Sequence, residues 1–396
     1  MLNPRFDALR DHPFRRLNEL VADIVPRTNE APILLSVGEP QGQPPALLAE
    51  TLAKNAHLWN RYPPANGTPE LRQAIKAWLI RRYGLPDAMI DADKHIVPVP
   101  GTREPLFMLG QTVVPERKNG QVPVVLMPSP LYHIYIGAAI SSHAELVFLP
   151  ATRANGFLPD LDAVDPAVLA RTALMYVCSP ANPQGTIAPL DYLKKAIKLA
   201  RQYGFLVAVD ECYCEIYDKH APPGALEACR DLGGGLDHVV VLHSLSKRSS
   251  APGLRSGFIA GDAELMARYF LMVSYGGVPL PLPIAAASAA LWNDESHVPP
   301  TRAVYRANFD LAEKHLGKCP GFFRPEAGMF LWLDVGDGPA TAKRLWAEAG
   351  IKTLPGAYMA RADANGVNPG GPYLRVALVY DSATTDMALQ RMARVL

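Results

Sequence analysis

The stretch VVVLHSLSKRSSAPGLR, Val239–Arg255, decides how the chain is read. Its opening run, Val239–His243, is short, β-branched and apolar on both faces, the pattern of a strand buried between two helical layers. The run breaks into Ser244-Leu245-Ser246-Lys247, so two hydroxyls and an amine fall at the C-terminal end of that strand. In open α/β sheets that end faces the ligand crevice.

The same junction recurs on either side. Ala173–Cys178 runs into Ser179, Asn182 and Gly185, and Phe205–Val209 ends in Asp210-Glu211-Cys212-Tyr213. Ile96–Val99 precedes Gly101-Thr102-Arg103 and a helical pattern over Glu104–Val113. Val122–Met127, Leu146–Leu149 and Gly257–Ala260 complete the strand candidates. Between them lie amphipathic helices. Thr68 caps Glu70–Arg82 with Pro69 in the first turn, and Pro189–Arg201 stops at Gly204. The apolar run Leu282–Leu291 reads as a core helix. The expected class is α/β: a large domain with a mostly parallel central sheet covered by helices. Beyond residue 293 the texture changes to Pro300–Leu316, Met329–Val335, Ala340–Ala349, Tyr373–Val379 and a last helix from Ala383. That pattern predicts a smaller α+β domain. The expected divisions are an N-terminal arm over 1–44, the large domain over 45–292 and the small domain over 293–396.

Composition narrows the function. The 396 residues carry 39 basic and 38 acidic side chains, a formal charge of +1, so binding of nucleic acid through bulk charge is not expected. Hydrophobic residues make up 49%, with no uninterrupted apolar stretch of the roughly 18 residues a membrane helix needs. The five cysteines form no C-x-x-C pair, which suggests reduced thiols and no metal. With no apolar signal core near the start, a cytoplasmic location is expected. Neither G-x-G-x-x-G nor G-x-x-x-x-G-K-[ST] is present, so the usual dinucleotide and triphosphate signals are missing. The 38 prolines, about twice the usual share, gather in part at strand exits such as Pro100, Pro128, Pro130, Pro180, Pro183 and Pro252.

A lone aspartate after a strand is commonly a helix cap, and a lone lysine a solvated charge. An acid, an amine, a phenol, an amide and a helix N-terminus at one sheet edge are a different matter. With Gly38-Glu39-Pro40, Tyr62, Gly67, Leu71-Arg72, Gly101-Thr102, Asn182-Pro183, Asp210, Tyr213, Ser244, Ser246, Lys247, Arg255 and Arg375, the chain resembles the fold-type-I, pyridoxal 5′-phosphate-dependent aminotransferases of class I/II. More narrowly, Ser244–Phe258 and His12–Leu20 are similar to succinyldiaminopimelate aminotransferases.

The resemblance implies roles. Lys247 matches the lysine that couples to the cofactor and shuttles the proton, and its amine must be neutral to attack a carbonyl; burial and the cations of Arg248 and Arg255 are expected to favour that form. Asp210 faces the pyridine nitrogen, Tyr213 and Asn182 the ring oxygen, and Tyr132 stacks on the ring. Gly101, the amides of Thr102 and Arg103, Ser244, Ser246 and Arg255 form a phosphate cup at a helix start. Pro105 departs from the family pattern, but it falls in the first turn, where no N–H is needed. Tyr62 reaches the phosphate of a second copy, which implies a homodimer. Arg375 and Gly38 take the substrate α-carboxylate. His133 and His243 read as packed histidines, not bases. The implied reaction moves an amino group between N-succinyl-L,L-2,6-diaminopimelate and 2-oxoglutarate in lysine biosynthesis. Aspartate-, aromatic- or kynurenine-type transamination and carbon–sulfur β-lysis stay open, because specificity rests on scattered side chains.

Overall fold

The computed structural model describes residues 3–10, 12–362 and 366–396. The arm contributes the helix Pro13–Val21 and a first short strand, β1 (Ile33–Leu34). Seven strands then build the central sheet: β2 (Ile96–Val99), β3 (Val124–Ser129), β4 (Glu145–Pro150), β5 (Thr172–Cys178), β6 (Leu206–Asp210), β7 (Val239–Ser244) and β8 (Gly257–Gly261). Their order is β2-β8-β7-β6-β5-β3-β4. The run from β4 to β7 is parallel, and β8 lies antiparallel to both β2 and β7. The mostly parallel sheet expected from the sequence is therefore present, with one reversed strand whose direction its residues did not signal.

Alternation along each strand divides the core into two faces. Val124, Leu126, Met175, Val177, Val207 and Val209 pack against Trp78, Leu79, Ile197 and Trp292 from the helices Pro69–Tyr83, Leu190–Tyr203 and Leu282–Asn293. Val125, Met127, Tyr176, Ala208 and Leu242 face Leu106, Tyr135 and Tyr269 on the other side. The caps act as read: Thr68 Oγ1 accepts from Leu71 N at 3.3 Å, and Gly204 ends its helix at φ +65°. The run Leu282–Leu291 belongs to a core helix. Among the described residues no helix is long and apolar enough to cross a membrane.

The remaining strands are β9 (Phe330–Asp334), β10 (Ile351–Lys352), β11 (Leu354–Pro355) and β12 (Tyr373–Ala377). β11, β12 and β9 form an antiparallel sheet in that order. The helices Val298–Leu316, Gly338–Ala349 and Ser382–Val395 supply Phe309, Leu345 and Leu389 to its core. The arm joins this second core: β1 pairs in parallel with β10, and Ile33 and Leu35 are buried beside Phe309 and Val376. Gly38 and Arg375 are thereby brought to the C-terminal edge of the large sheet.

Candidate active site

A cavity of about 680 Å³ opens at the C-terminal ends of β5, β6 and β7, beneath the arm and β12. It is lined by Gly38, Thr102, Arg103, Tyr132, Asn182, Asp210, Tyr213, Ser244, Ser246, Lys247, Arg255 and Arg375. All of the proposed site residues except Gly101 and Tyr62 therefore line one space. Gly101 lies directly behind it, against Arg255. Tyr62 is fully exposed and does not line this cavity.

Lys247 sits in the four-residue helix Leu245–Arg248 that follows β7 without a loop. Its Nζ donates to Gly38 O at 2.5 Å, and it lies 5.9 Å from the Tyr213 ring centroid. Burial and then the nearby Arg375 lower its ammonium to about 8, against the opposing pull of Cys212, Glu39 and Asp210. The expected neighbours are corrected here. Arg248 points away from the cavity, donating to Leu291 O at 2.7 Å and pairing with Glu295 at 2.9 Å beside Trp292. Arg255 is anchored on the carbonyls of Pro252 and Pro100, which leaves further donors for an anion, and it is not among the charges that shift Lys247. The cation that acts on Lys247 comes from β12, more than a hundred residues away in the chain.

Asp210 ends β6 almost wholly buried. Burial raises its carboxyl, and hydrogen bonds from Cys212 and Tyr135 oppose that rise. Tyr213 packs edge-on to Phe330 at 5.9 Å, and burial pushes its phenol well above the ordinary value. Tyr132 accepts from Arg103 Nε at 3.0 Å through its hydroxyl.

At the other end, Gly101 adopts φ +83°, and a Cβ there would stand 2.3 Å from Arg255 Nη2. Arg255 itself has φ +55°, an uncommon backbone for a side-chain-bearing residue and one that marks local constraint. The helix Arg103–Val113 begins beside them, with first-turn amides that have no intrahelical acceptor. Pro105 lies in that turn and the helix runs on undisturbed, as expected. Ser244 Oγ accepts from Ser246 N at 3.1 Å and lies 2.9 Å from Ser246 Oγ.

Arg375 is buried in β12. Its Nη1 donates to Asn182 Oδ1 at 3.1 Å and its Nη2 to Ser36 O at 2.7 Å, while its Nε has no partner. Desolvation lowers even this guanidinium to about 10. A buried cation with an unused donor, in a cavity wall, is built for an anionic group. A Cβ on Gly38 would meet Phe330 Cζ at 2.3 Å, so only glycine lets the arm lie this close to β9.

Four groups near the cavity were given no place in the site by the motifs. Tyr135 donates to Asp210 Oδ2 at 3.1 Å, from within an apolar helix whose sequence reads simply as core. His133 lines the cavity, its imidazole lowered to about 3 by burial and then by His12, Arg103, Arg375 and Arg361. His12 meets it edge-on at 4.5 Å. Cys212 Sγ lies 3.1 Å from Thr102 Oγ1. His133 and His243 are both packed as expected, the latter buried 3.0 Å from Glu211.

A doubly covered α/β sheet with an amine, an acid and an anion cup at one edge defines a class of carbonyl-cofactor enzymes. The family model for aminotransferase class I and II matches residues 30–392, and the chain belongs to that family. An aminotransferase structure from Neisseria meningitidis superposes with a TM-score of 0.94 at 40% identity, covering 99% of both chains. The LL-diaminopimelate aminotransferase of Moorella thermoacetica is 28% identical over 411 residues, covering 99% of this chain and 97% of that one. A probable N-succinyldiaminopimelate aminotransferase from Thermus thermophilus shares the fold, with a TM-score of 0.84, 24% identity and coverage of 97% and 100%. The chain is thus a pyridoxal 5′-phosphate-dependent aminotransferase. The pocket fits that cofactor: Gly101 leaves room that a Cβ would fill beside Arg255, and a lysine of lowered pKa lines the same cavity as this cup and the buried Arg375.

Proposed function

We propose that the chain transaminates N-succinyl-L,L-2,6-diaminopimelate with 2-oxoglutarate as acceptor, in lysine and diaminopimelate biosynthesis. One observation carries the choice of substrate. Once Lys247, Asp210, Arg255 and Arg375 are given to the cofactor and the α-carboxylate, Arg103 is, among the described residues, the cation left in the cavity wall for a distal carboxylate, with Glu39 the one remaining acid. The succinylated substrate has one more carboxylate and one fewer ammonium than free diaminopimelate, and Arg103 is the group left to meet that carboxylate. The names of the Moorella relative and its kind favour a second reading, in which free LL-diaminopimelate is the donor.

Bound, the cofactor would supply an electron-withdrawing ring that stabilises negative charge on the substrate's α-carbon. The amides of Thr102 and Arg103, with Ser244, Ser246 and Arg255, would hold its phosphate, and Asp210 its ring nitrogen. Tyr213 and Asn182 would donate to the ring oxygen, and Tyr132 would cover one face. Arg375, with Gly38, would grip the substrate α-carboxylate. Lys247 Nζ, once released, would carry the proton from the α-carbon. Tyr62 would complete the cup of a second copy, making the enzyme a homodimer, and its place would be the cytoplasm; the neighbouring exposed Trp59 suits such a contact.

The test is a donor panel with 2-oxoglutarate: succinylated diaminopimelate, LL-diaminopimelate, aspartate and an aromatic amino acid, with glutamate measured. Cystathionine, followed by pyruvate release, tests for the lyase. The succinylated donor is expected to give the highest kcat/KM, and a higher value for the free diamine overturns that choice. Sedimentation tests the dimer: a monomer at micromolar concentration that binds cofactor normally refutes the role given to Tyr62.

A further inference from the structure

Asp210 is held from behind by a chain of aromatic groups that does not touch the cavity. Tyr135, in the helix Ile134–Ser141, is fully buried and donates its hydroxyl to Asp210 Oδ2 at 3.1 Å. The other carboxylate oxygen receives the backbone N–H of Cys212 at 3.3 Å. Both oxygens are therefore tied, which fixes the plane of the carboxylate. The Tyr135 ring lies face to face with Tyr176 of β5, centroids 4.4 Å apart and planes within 9°. Tyr176 in turn donates to Leu106 O at 2.5 Å, in the helix whose first turn forms the proposed phosphate cup. A second tie runs in parallel from Cys212 to Thr102.

We infer that Tyr135 is the positioning residue of Asp210, orienting the carboxylate toward the cofactor's ring nitrogen and keeping it ionised, while the Tyr135–Tyr176–Leu106 chain sets its distance from the phosphate cup. The inference rests on the family's cofactor and on the role proposed for Asp210. A neutral hydroxyl suits this position because it stabilises the anion without the counter-charge that a histidine or arginine would bring. The side chain cannot ionise to repel its partner, since burial and the adjacent Asp210 hold its phenol far above the ordinary value. A carboxylate this deeply buried would otherwise tend toward its protonated form, in which it no longer favours a protonated ring.

The test is Tyr135→Phe in the cofactor-loaded protein, which keeps the ring and its stack on Tyr176 and removes one donor. Asp210 then holds a proton more readily and shares it with the ring nitrogen. The ring carries less positive charge, and groups conjugated with it keep their protons to higher pH. The pH midpoint of the cofactor's visible absorbance change is expected to rise by about half to one unit, and the cofactor dissociation constant by roughly fivefold. Tyr176→Phe, which leaves the donor to Asp210 in place but cuts the tie to Leu106, is expected to lower the melting temperature and weaken cofactor binding without moving the midpoint, and unchanged binding there refutes the spacing role of the chain. Site-specific replacement of Tyr135 by a ring-fluorinated tyrosine, a stronger donor, is expected to move the midpoint downward, and serves should Tyr135→Phe fold poorly. An unmoved midpoint in both Tyr135 variants, or an equal shift in Tyr176→Phe, overturns the inference. Wild-type protein that takes up no cofactor overturns the cofactor reading beneath it as well, so the two failures look different.

Discussion

Replacing Gly101 by alanine separates two costs that one glycine avoids. The first is conformational. At φ +83° a side-chain-bearing residue is disfavoured by about 1–2 kcal/mol, which lowers the stability of the apo protein by about that much. The second is the cup itself. The new Cβ would lie 2.3 Å from Arg255 Nη2, so the guanidinium must move. Arg255 is tied to Pro100 O at 3.0 Å and Pro252 O at 2.9 Å, and those bonds shift with it. A charge-assisted hydrogen bond is worth about 1.5–3 kcal/mol, so losing one to the phosphate weakens cofactor binding roughly tenfold to 150-fold. Gly204 supplies the control: it has φ +65° and nothing within 4 Å of the place a Cβ would take. Gly204→Ala is expected to lose about 1 kcal/mol of stability and no cofactor affinity. Chemical denaturation of the apo proteins measures the first cost, and titration of apo protein with pyridoxal 5′-phosphate the second. Gly101→Ala with wild-type affinity, or Gly204→Ala with an equal loss of affinity, refutes the assignment of Gly101 and Arg255 to one anion cup.

The other expectations concern charge. The lowered Lys247 pKa predicts that cofactor uptake by apo protein rises about tenfold per pH unit up to about 8 and then levels, read by absorbance in stopped flow; uptake independent of pH counts against it. The sign for stability follows: the unfolded chain holds the lysine proton to higher pH, so apo stability rises between about 8 and the ordinary lysine value of 10.5, and Lys247→Ala abolishes that rise. Arg375→Lys keeps one charge but cannot span Asn182 and Ser36 while gripping a carboxylate; kcat/KM is expected to fall about a hundredfold, and a loss under threefold refutes the fork. For Arg103→Gln, KM is expected to rise roughly tenfold for 2-oxoglutarate and much less for pyruvate. Equal changes for both acceptors remove Arg103 from the recognition of a distal carboxylate.

The legible part of this molecule is the part written in local pattern. The strand Ile96–Val99 and the caps at Thr68 and Gly204 came directly from apolar runs and turn chemistry, because burial on both faces leaves few residue choices. The direction of β8 was not legible, since an apolar pentapeptide looks the same either way and its orientation is set by its partners β2 and β7. Tyr135 was hidden for a related reason: in Ile134–Ser141 a tyrosine among apolar neighbours is indistinguishable from core until the carboxylate beside it is located.

Arg248 and Arg375 make the limit concrete. Arg248 follows the lysine directly, yet a helix turns successive side chains by about 100°, so its neighbour was bound to face elsewhere; it is buried among Trp78, Trp292 and Glu295. Arg375 is remote in sequence but sits where β12 and the arm close over the sheet edge. Adjacency in sequence was thus a poor guide to which cation acts on Lys247, whereas the helical rotation by itself argues against Arg248. Exchanging the two charges checks this: Arg375→Gln is expected to raise the Lys247 pKa, and Arg248→Gln to lower stability while leaving that pKa in place. The pH midpoint of cofactor uptake reads the first and denaturation of the apo protein the second. A shift of the midpoint in Arg248→Gln alone would show that the field at Lys247 follows the chain after all.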